Sequence, residues 1–242
     1  MSEKTVKRLK GKKHGQAGGG KGLAAEITIE DLRNTSVGEK AGDRLLQIVQ
    51  AALQLFHTKG YGPTTTRDIC KASNITSGGH LYYYIKSKED FPRIFIEIAE
   101  NDILEWTKLI HRDMKLLPPD ELLEKTVREY AYWIHMRRKI VFFWYHVGVQ
   151  VKREEYLRTM DHEVRTGRLF QLIIERGNET GHFHVSDPYI LAINVVMMCM
   201  TWSLKRWLIR DKRTIDQYVD SIVEYVMAIV RGSPQTTGIP GT

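Results

Sequence analysis

Between Arg44 and Asp90, helical stretches follow one another with breaks too short to let them part. In the first stretch Leu45, Ile48, Val49, Ala52 and Phe56 recur at three- and four-residue spacing, giving one apolar face over about four turns. Gly60 ends it, with Lys59 near the negative end of the helix dipole. Thr65 with Asp68 three residues later is a capping-box-like start, with Pro63 just outside it. It opens a helix of about two turns whose inward face is Ile69 and Ala72. After a break at Asn74, Ser77 caps a third helix carrying Leu81, Tyr82, Tyr83, Tyr84 and Ile85, and Ser87–Asp90 opens a long fourth one to about Arg112. That order of lengths, closed by a tight turn before the third helix, predicts a helix-turn-helix.

The rest of the chain is also read as helical. Pro118 and Pro119 mark a turn, and Asp120 begins a helix to about Arg138. Residues 139–151 are a dense apolar run, 154–176 are amphipathic, and 188–210 and 212–231 form two last helices. No stretch alternates as strands joined by hairpins do, so the predicted class is all-α. The domain reading is a basic, disordered extension over 1–40, a helix-turn-helix domain over 41–90, a larger helical domain over 91–232, and a flexible tail over 233–242. The most apolar run, Tyr189–Leu204, is shorter than the ~18–20 residues a membrane span needs, and it contains Asn194.

Charge is distributed unevenly. Net charge is +7, from 36 Lys and Arg against 29 Asp and Glu, and residues 1–22 alone hold seven cations against Glu3. Beyond residue 22 the balance is 29 to 28, so affinity of the body for DNA must come from local arrangement. No apolar stretch follows the first charges as in a secretory signal. Cys70 and Cys199 lie outside any redox or zinc motif, which favours a reducing, cytoplasmic setting.

At the residue level, the stretch "LLQIVQAALQLFHTKGYGPTTTRDICKASNITSGGHLYYYIKSKEDF" resembles the DNA-binding domain of TetR-family transcriptional regulators. The resemblance rests on Phe56, Gly60, Tyr61, Thr64, Thr65, Ile69, Ala72, Leu81, Tyr82, Tyr84, Ser87, Lys88 and Glu89, and covers about a fifth of the chain. One extra residue stands between Ile75 and Ile85, placed in the turn Asn74–Ser77. The resemblance implies a homodimer on a palindromic operator, a repressor more often than an activator, with Thr64, Thr65 and Lys88 beside the phosphate backbone.

The residues themselves agree. Gly78 and Gly79 would each cost roughly 1 kcal/mol in an ordinary helix, but at the first turn of a recognition helix they let the backbone approach phosphates. His80 stands at the same end, while Tyr82 and Tyr83 offer hydroxyls to phosphates and ring faces to thymine methyls. Tyr84 occupies a position that is commonly His or Tyr in the family; Leu81 and Ile85 are core. Simple helix packing by the tyrosines is the alternative reading.

In the larger domain the resemblance implies a variable effector cavity and a dimer surface on the last two helices. Candidate cavity residues are Trp106, Trp133, Met136, Phe143, Trp144, His146, Met197, Thr201 and Arg206, since flat and flexible side chains suit an apolar pocket and His or Arg can meet a polar group. Ordinary core is the competing explanation for each. The segment "WSLKRWLIRD" resembles members that answer acyl-CoA thioesters. Val195, Met198, Trp202 and Ile209 with Ile215, Val219, Ile222, Val226 and Ile229 form the expected dimer face, although packing within one subunit would give the same pattern. No cofactor, metal or catalytic site is expected: Asp161–His162–Glu163 lacks a second zinc histidine, and His182 and His184 have no carboxylate partner in sequence. The rival classes are a protein-interaction module and a small helical enzyme.

Overall fold

A computed structural model describes residues 27–75 and 78–232. The basic stretch 1–22, Ser77 and the tail 233–242 lie outside those residues. The described chain is helical, without strands: α1 (Ile29–Arg33), α2 (Asp43–Thr58), α3 (Thr66–Ala72), α4 (Gly78–Tyr84), α5 (Asp90–Asp113), α6 (Pro119–Met136), α7 (Arg138–Val147), α8 (Arg153–Glu179), α9 (Pro188–Leu204), α10 (Arg206–Ile209) and α11 (Ile215–Arg231).

Local sequence sets the ends. Thr65 with Asp68 and Thr214 with Gln217 close reciprocal capping boxes on α3 and α11. Asp187 caps α9 ahead of Pro188, which needs no partner for the N–H it lacks. After α2, Gly60 takes φ +92, the left-handed conformation a side chain resists. Gly177 is required for space instead: a Cβ there would lie 1.9 Å from the Phe183 ring, so only glycine lets the α8–α9 loop fold back on α8.

Two apolar cores result. The first gathers Leu45, Ile48, Val49, Ala52 and Phe56 of α2 with Ile69, Leu81, Ile85 and Phe91. The second joins α6, α8, α9 and α11 around Trp106, Tyr130, Phe170 and Val195. Helix α5 belongs to both: Phe91–Ile98 pack in the first and Ala99–Ile110 in the second. Helix α7 also serves both, giving Ile140, Phe143, Trp144 and Val147 to the first and Val141 to the second.

Three differences from the sequence reading have clear causes. The extension does not reach residue 40: Ile27 and Leu32 are fully buried in the first core, and a Thr28–Asp31 capping box starts α1. A short helix with two apolar anchors is invisible to periodicity but stable once packed. The single helix expected over 188–210 breaks at Lys205, separating α9 from α10. Finally, Val195, Trp202, Val219, Ile222 and Val226 are buried within the subunit. The apolar side chains left exposed are Tyr189, Ile190, Ile193 and Met197 on α9 and Tyr225 and Ile229 on α11.

Candidate nucleic-acid interface and effector cavity

Helix α4 is held from below and open above. Leu81 and Ile85 are buried at 1% and 2% exposure, whereas Tyr82 and Tyr83 stand 52% and 62% exposed. His80 is also exposed and stacks on Tyr84, which is half-buried against the first core. Tyr83 is steadied by Lys40, whose ammonium donates to its carbonyl at 2.6 Å and lies 5.2 Å from its ring centre. Arg67 and Lys71 on α3 and Lys86 after α4 are exposed, and no carboxylate pairs with them among the described residues. Such a surface supplies ring faces, hydroxyls and cations, the groups that contact bases and phosphates.

Thr65 is exposed at the start of α3, but its hydroxyl is engaged with Asp68. The Lys59 hydrogen bond, reinforced by Thr65, holds the Asp68 carboxyl well below the usual carboxylate range. The phosphate contact expected of Thr64 is corrected: it is 1% exposed, and its hydroxyl donates to Gly60 O at 2.6 Å. Lys88 is likewise engaged. Its ammonium donates to the carbonyls of Tyr61, Gly62 and Thr64 at 3.1, 3.2 and 3.2 Å and sits 4.5 Å from the Tyr61 ring centre. It clasps the turn between α2 and α3, where three carbonyls have no helical partner.

In the second half of the molecule a small cavity lies between α5, α6, α7, α8 and α9. Its walls are Ile96 and Ala99, Trp133, the α7 residues Ile140, Val141, Trp144 and Tyr145, then Thr159, His162, Glu163 and Met200. It has about 30 Å3 of free space, room for one or two waters, so a larger ligand must widen it. A more open depression of about 480 Å3 between α2 and α3 has a mixed lining, Gln47, Gln50, Gln54, Ser73, Asn74 and Lys139 beside Ile27, Ala51, Leu53 and Ala72, and lacks an apolar enclosure.

Two of the lining residues carry buried polar atoms with no partner. Trp144 Nε1 and His162 Nε2 are buried without a hydrogen-bond partner. Burial pushes the His162 imidazole down to about 4, against the upward pull of Glu100, the Ala99 backbone and Asp102, so the ring is neutral at ordinary pH. Burial raises the Glu163 carboxyl despite its hydrogen bond from Tyr145. The Tyr145 hydroxyl lies 2.8 Å from Met200 Sδ.

One wall of the cavity connects outward. Trp133 Nε1 donates to Asp102 Oδ2 at 2.9 Å, and Arg137 Nε donates to the same oxygen at 2.7 Å. The Arg137 fork then grips Asp31 with bonds of 3.1 and 2.9 Å. Burial opposes the charge on Asp31, yet Arg137 outweighs it and lowers the carboxyl below its usual value. From Asp31 the chain of contacts passes through Thr28 and Ile27 to Gln50 of α2.

A family model for bacterial regulatory proteins of the tetR family matches residues 48–91, and one for the tetracyclin repressor-like C-terminal domain matches 116–230. The chain belongs to the TetR family. As a family member it is a DNA-binding transcriptional regulator with an N-terminal helix-turn-helix. Among its relatives is the HTH-type transcriptional regulator HbdR of Aromatoleum sp. (strain CIB), 26% identical over 74% of this chain and 76% of that protein. A tetR-family regulatory protein from Rhodococcus RHA1 superposes with a TM-score of 0.63 at 24% identity, over 78% of this chain and 97% of that one. AibR, solved with isovaleryl coenzyme A and operator DNA, gives 0.62 at 23% identity, over 76% and 97%.

In this TetR-family chain the expected cavity residues separate. Trp133 and Trp144 line the cavity. Trp106 does not: it is 1% exposed, stacked on Tyr130, with its indole N–H given to Glu129 at 3.0 Å. Phe143 belongs to the first core, packed on Phe56, Tyr61 and Phe95. His146 is exposed and stacked on Phe142, and Met136 fills the edge of the second core. Met197 is 41% exposed, Thr201 donates to its carbonyl, and Arg206 covers the Trp202 ring at 5.1 Å. Tyr145 and Met200, part of the same aromatic- and methionine-rich stretches of sequence, also line it, whereas His162 and Glu163 line it without having been expected there. Their signal lies in α8, where Glu155, His162 and Thr166 continue the stripe of Leu169, Phe170, Ile173 and Ile174 with polar residues in apolar places.

Proposed function

We propose that the chain is a dimeric repressor that leaves a palindromic operator when a hydrophobic small molecule, an acyl-CoA or a related acid derivative, enters the cavity. It would work in the cytoplasm, where its DNA is. The observation that carries this reading is α5. Its first turn packs behind α4 through Phe91, its middle lines the cavity through Ile96 and Ala99, and its 24 residues span about 36 Å. Widening a cavity of this size requires its walls to move, and α5 and the Trp133–Asp102–Arg137–Asp31 chain would pass that movement to the DNA-binding end.

Each α4 reads only a few base pairs, so two are needed, with half-sites one turn or about 34–36 Å apart. The exposed apolar residues of α9 and α11 offer a self-complementary surface for the second copy. A small change in α4 separation then weakens both contacts together. AibR, with its operator and isovaleryl coenzyme A, supports both parts of the reading. The test is fluorescence anisotropy of the full chain on palindromes from its own upstream DNA at low salt, with acyl-CoAs of graded chain length added. Saturable binding released by an acyl-CoA is expected; palindromes that are ignored, or binding no acyl-CoA reverses, would contradict the repressor or the effector respectively.

A further inference from the structure

The last carbonyls of a helix have no donor within it, and a cation suits that negative end. Helix α4 has only seven residues and no Lys or Arg in its last turn. Leu81 O takes the Ile85 N–H at 2.9 Å, but Tyr83 O is met from far upstream, by the Lys40 ammonium at 2.6 Å. The same ammonium lies over the Tyr83 ring. That ring stands edge-on to Tyr84, with centres 4.9 Å apart, and Tyr84 stacks on His80 at 6.1 Å. One cation therefore holds the last turn of α4 by a carbonyl and the first ring of a row of three by its face.

Lys40 is itself held firmly. It ends a single tight turn, Gly38–Lys40, that follows α1. Gly38 N–H donates to Thr35 O at 2.9 Å and Ala41 N–H to Gly38 O at 3.0 Å. A Cβ on Gly38 would collide with Arg33 O, so the turn requires glycine. The stretch leading into it is tied twice to α5, by Ser36 N–H to Glu97 Oε2 at 2.8 Å and by Asn101 Nδ2 to Asn34 O at 2.6 Å. Further back, Asp31 sits in the Arg137 fork. The backbone that presents Lys40 is thus fixed on the long helix behind α4, and not on α4.

We propose that Lys40 is a positioning residue for DNA reading: from outside the helix-turn-helix it fixes the last turn of α4 and the pose of the Tyr83–Tyr84–His80 row, without contacting DNA. The proposal rests on the reading of α4 as the DNA-reading helix. Lys40→Met keeps the stem and removes the donor, and Lys40 is exposed, so the fold should persist. Two readouts on the full chain test it: amide hydrogen exchange across α4 without DNA, and anisotropy on its upstream DNA over a range of salt. In Lys40→Met, exchange should quicken and operator affinity fall, each about fivefold, with the salt slope unchanged; Lys40→Arg should restore both. With Tyr83→Ala already present, Lys40→Met should cost about twofold or less. Unaltered affinity, a salt slope reduced by about 0.9 as for a lost phosphate contact, or an undiminished loss in the Tyr83→Ala background would each overturn the proposal. Tyr82→Ala, whose side chain has no part in the clasp, reports on the α4 reading separately, so each can fail without the other.

Discussion

The two ends of the molecule hold their candidate groups in opposite ways. At α4 the proposed reading groups are those left outside: Tyr82 and Tyr83 project while Leu81 and Ile85 anchor the helix. At the cavity the candidates are on the inside: Trp144 and His162 line it, and their Nε1 and Nε2 are buried without a hydrogen-bond partner. A reading surface needs rigid backing and free side chains, because its partner arrives with the missing bonds. In the proposed effector cavity, buried unpaired groups are an energetic deficit that a rearrangement of the walls can relieve. Lys88 shows that a cation at this end is not enough, since its charge is used by three carbonyls of its own chain.

Substitutions can break this contrast, and the buried half should suffer most. Arg137→Ala should cost about 3–5 kcal/mol of stability, because Asp31 and Asp102 would face each other in the interior without their cation. Chemical denaturation would show this, and a loss under about 1 kcal/mol would mean that the link between cavity and α1 is dispensable. The next effect comes with acid. The His162 ring sits at about 4 when folded and near 6.5 when unfolded, so the unfolded chain binds more protons between those values. Stability should therefore fall by about 3 kcal/mol as pH drops from 6.5 to 4, and His162→Leu should flatten that part of the curve.

At the DNA-reading end the order reverses, with binding lost and stability kept. Tyr82→Ala and Tyr83→Ala should each weaken operator binding by about 1–3 kcal/mol while leaving the unfolding free energy within about 0.5 kcal/mol. Equal losses in folding would place these rings in the core. The smallest and sharpest effect belongs to Lys88→Ala. A phosphate contact would take about 0.9 from the slope of log affinity against log salt, whereas the turn clasp leaves the slope intact and lowers Tm by a few degrees.

Much of the reading end was legible because its determinants are local. The Thr65–Asp68 box, Gly60 and the α2 face of Leu45 to Phe56 are set within a few residues of sequence, and the structure reproduces them. Thr64 and Lys88 escaped because their partners, Gly60 and the carbonyls of Tyr61, Gly62 and Thr64, are supplied by the folded turn. The cavity was legible in kind and not in detail. Aromatic richness announced it, but Phe143 and Trp144 are neighbours on α7 and fall in different places, Phe143 in the first core and Trp144 on the cavity wall as well. Only tertiary packing decides such a division. The same holds for Val195, Trp202, Val219 and Ile222, whose spacing fits a dimer face and a subunit core equally.

Hydroxyl-radical footprinting of the full chain on its upstream DNA tests the account at its centre. Two protected half-sites about 34–36 Å apart, related by a dyad and both erased by Tyr82→Ala with Tyr83→Ala in a protein that melts as before, are the expected result. A single protected patch without a dyad, or two half-sites that persist in the double variant, would contradict it.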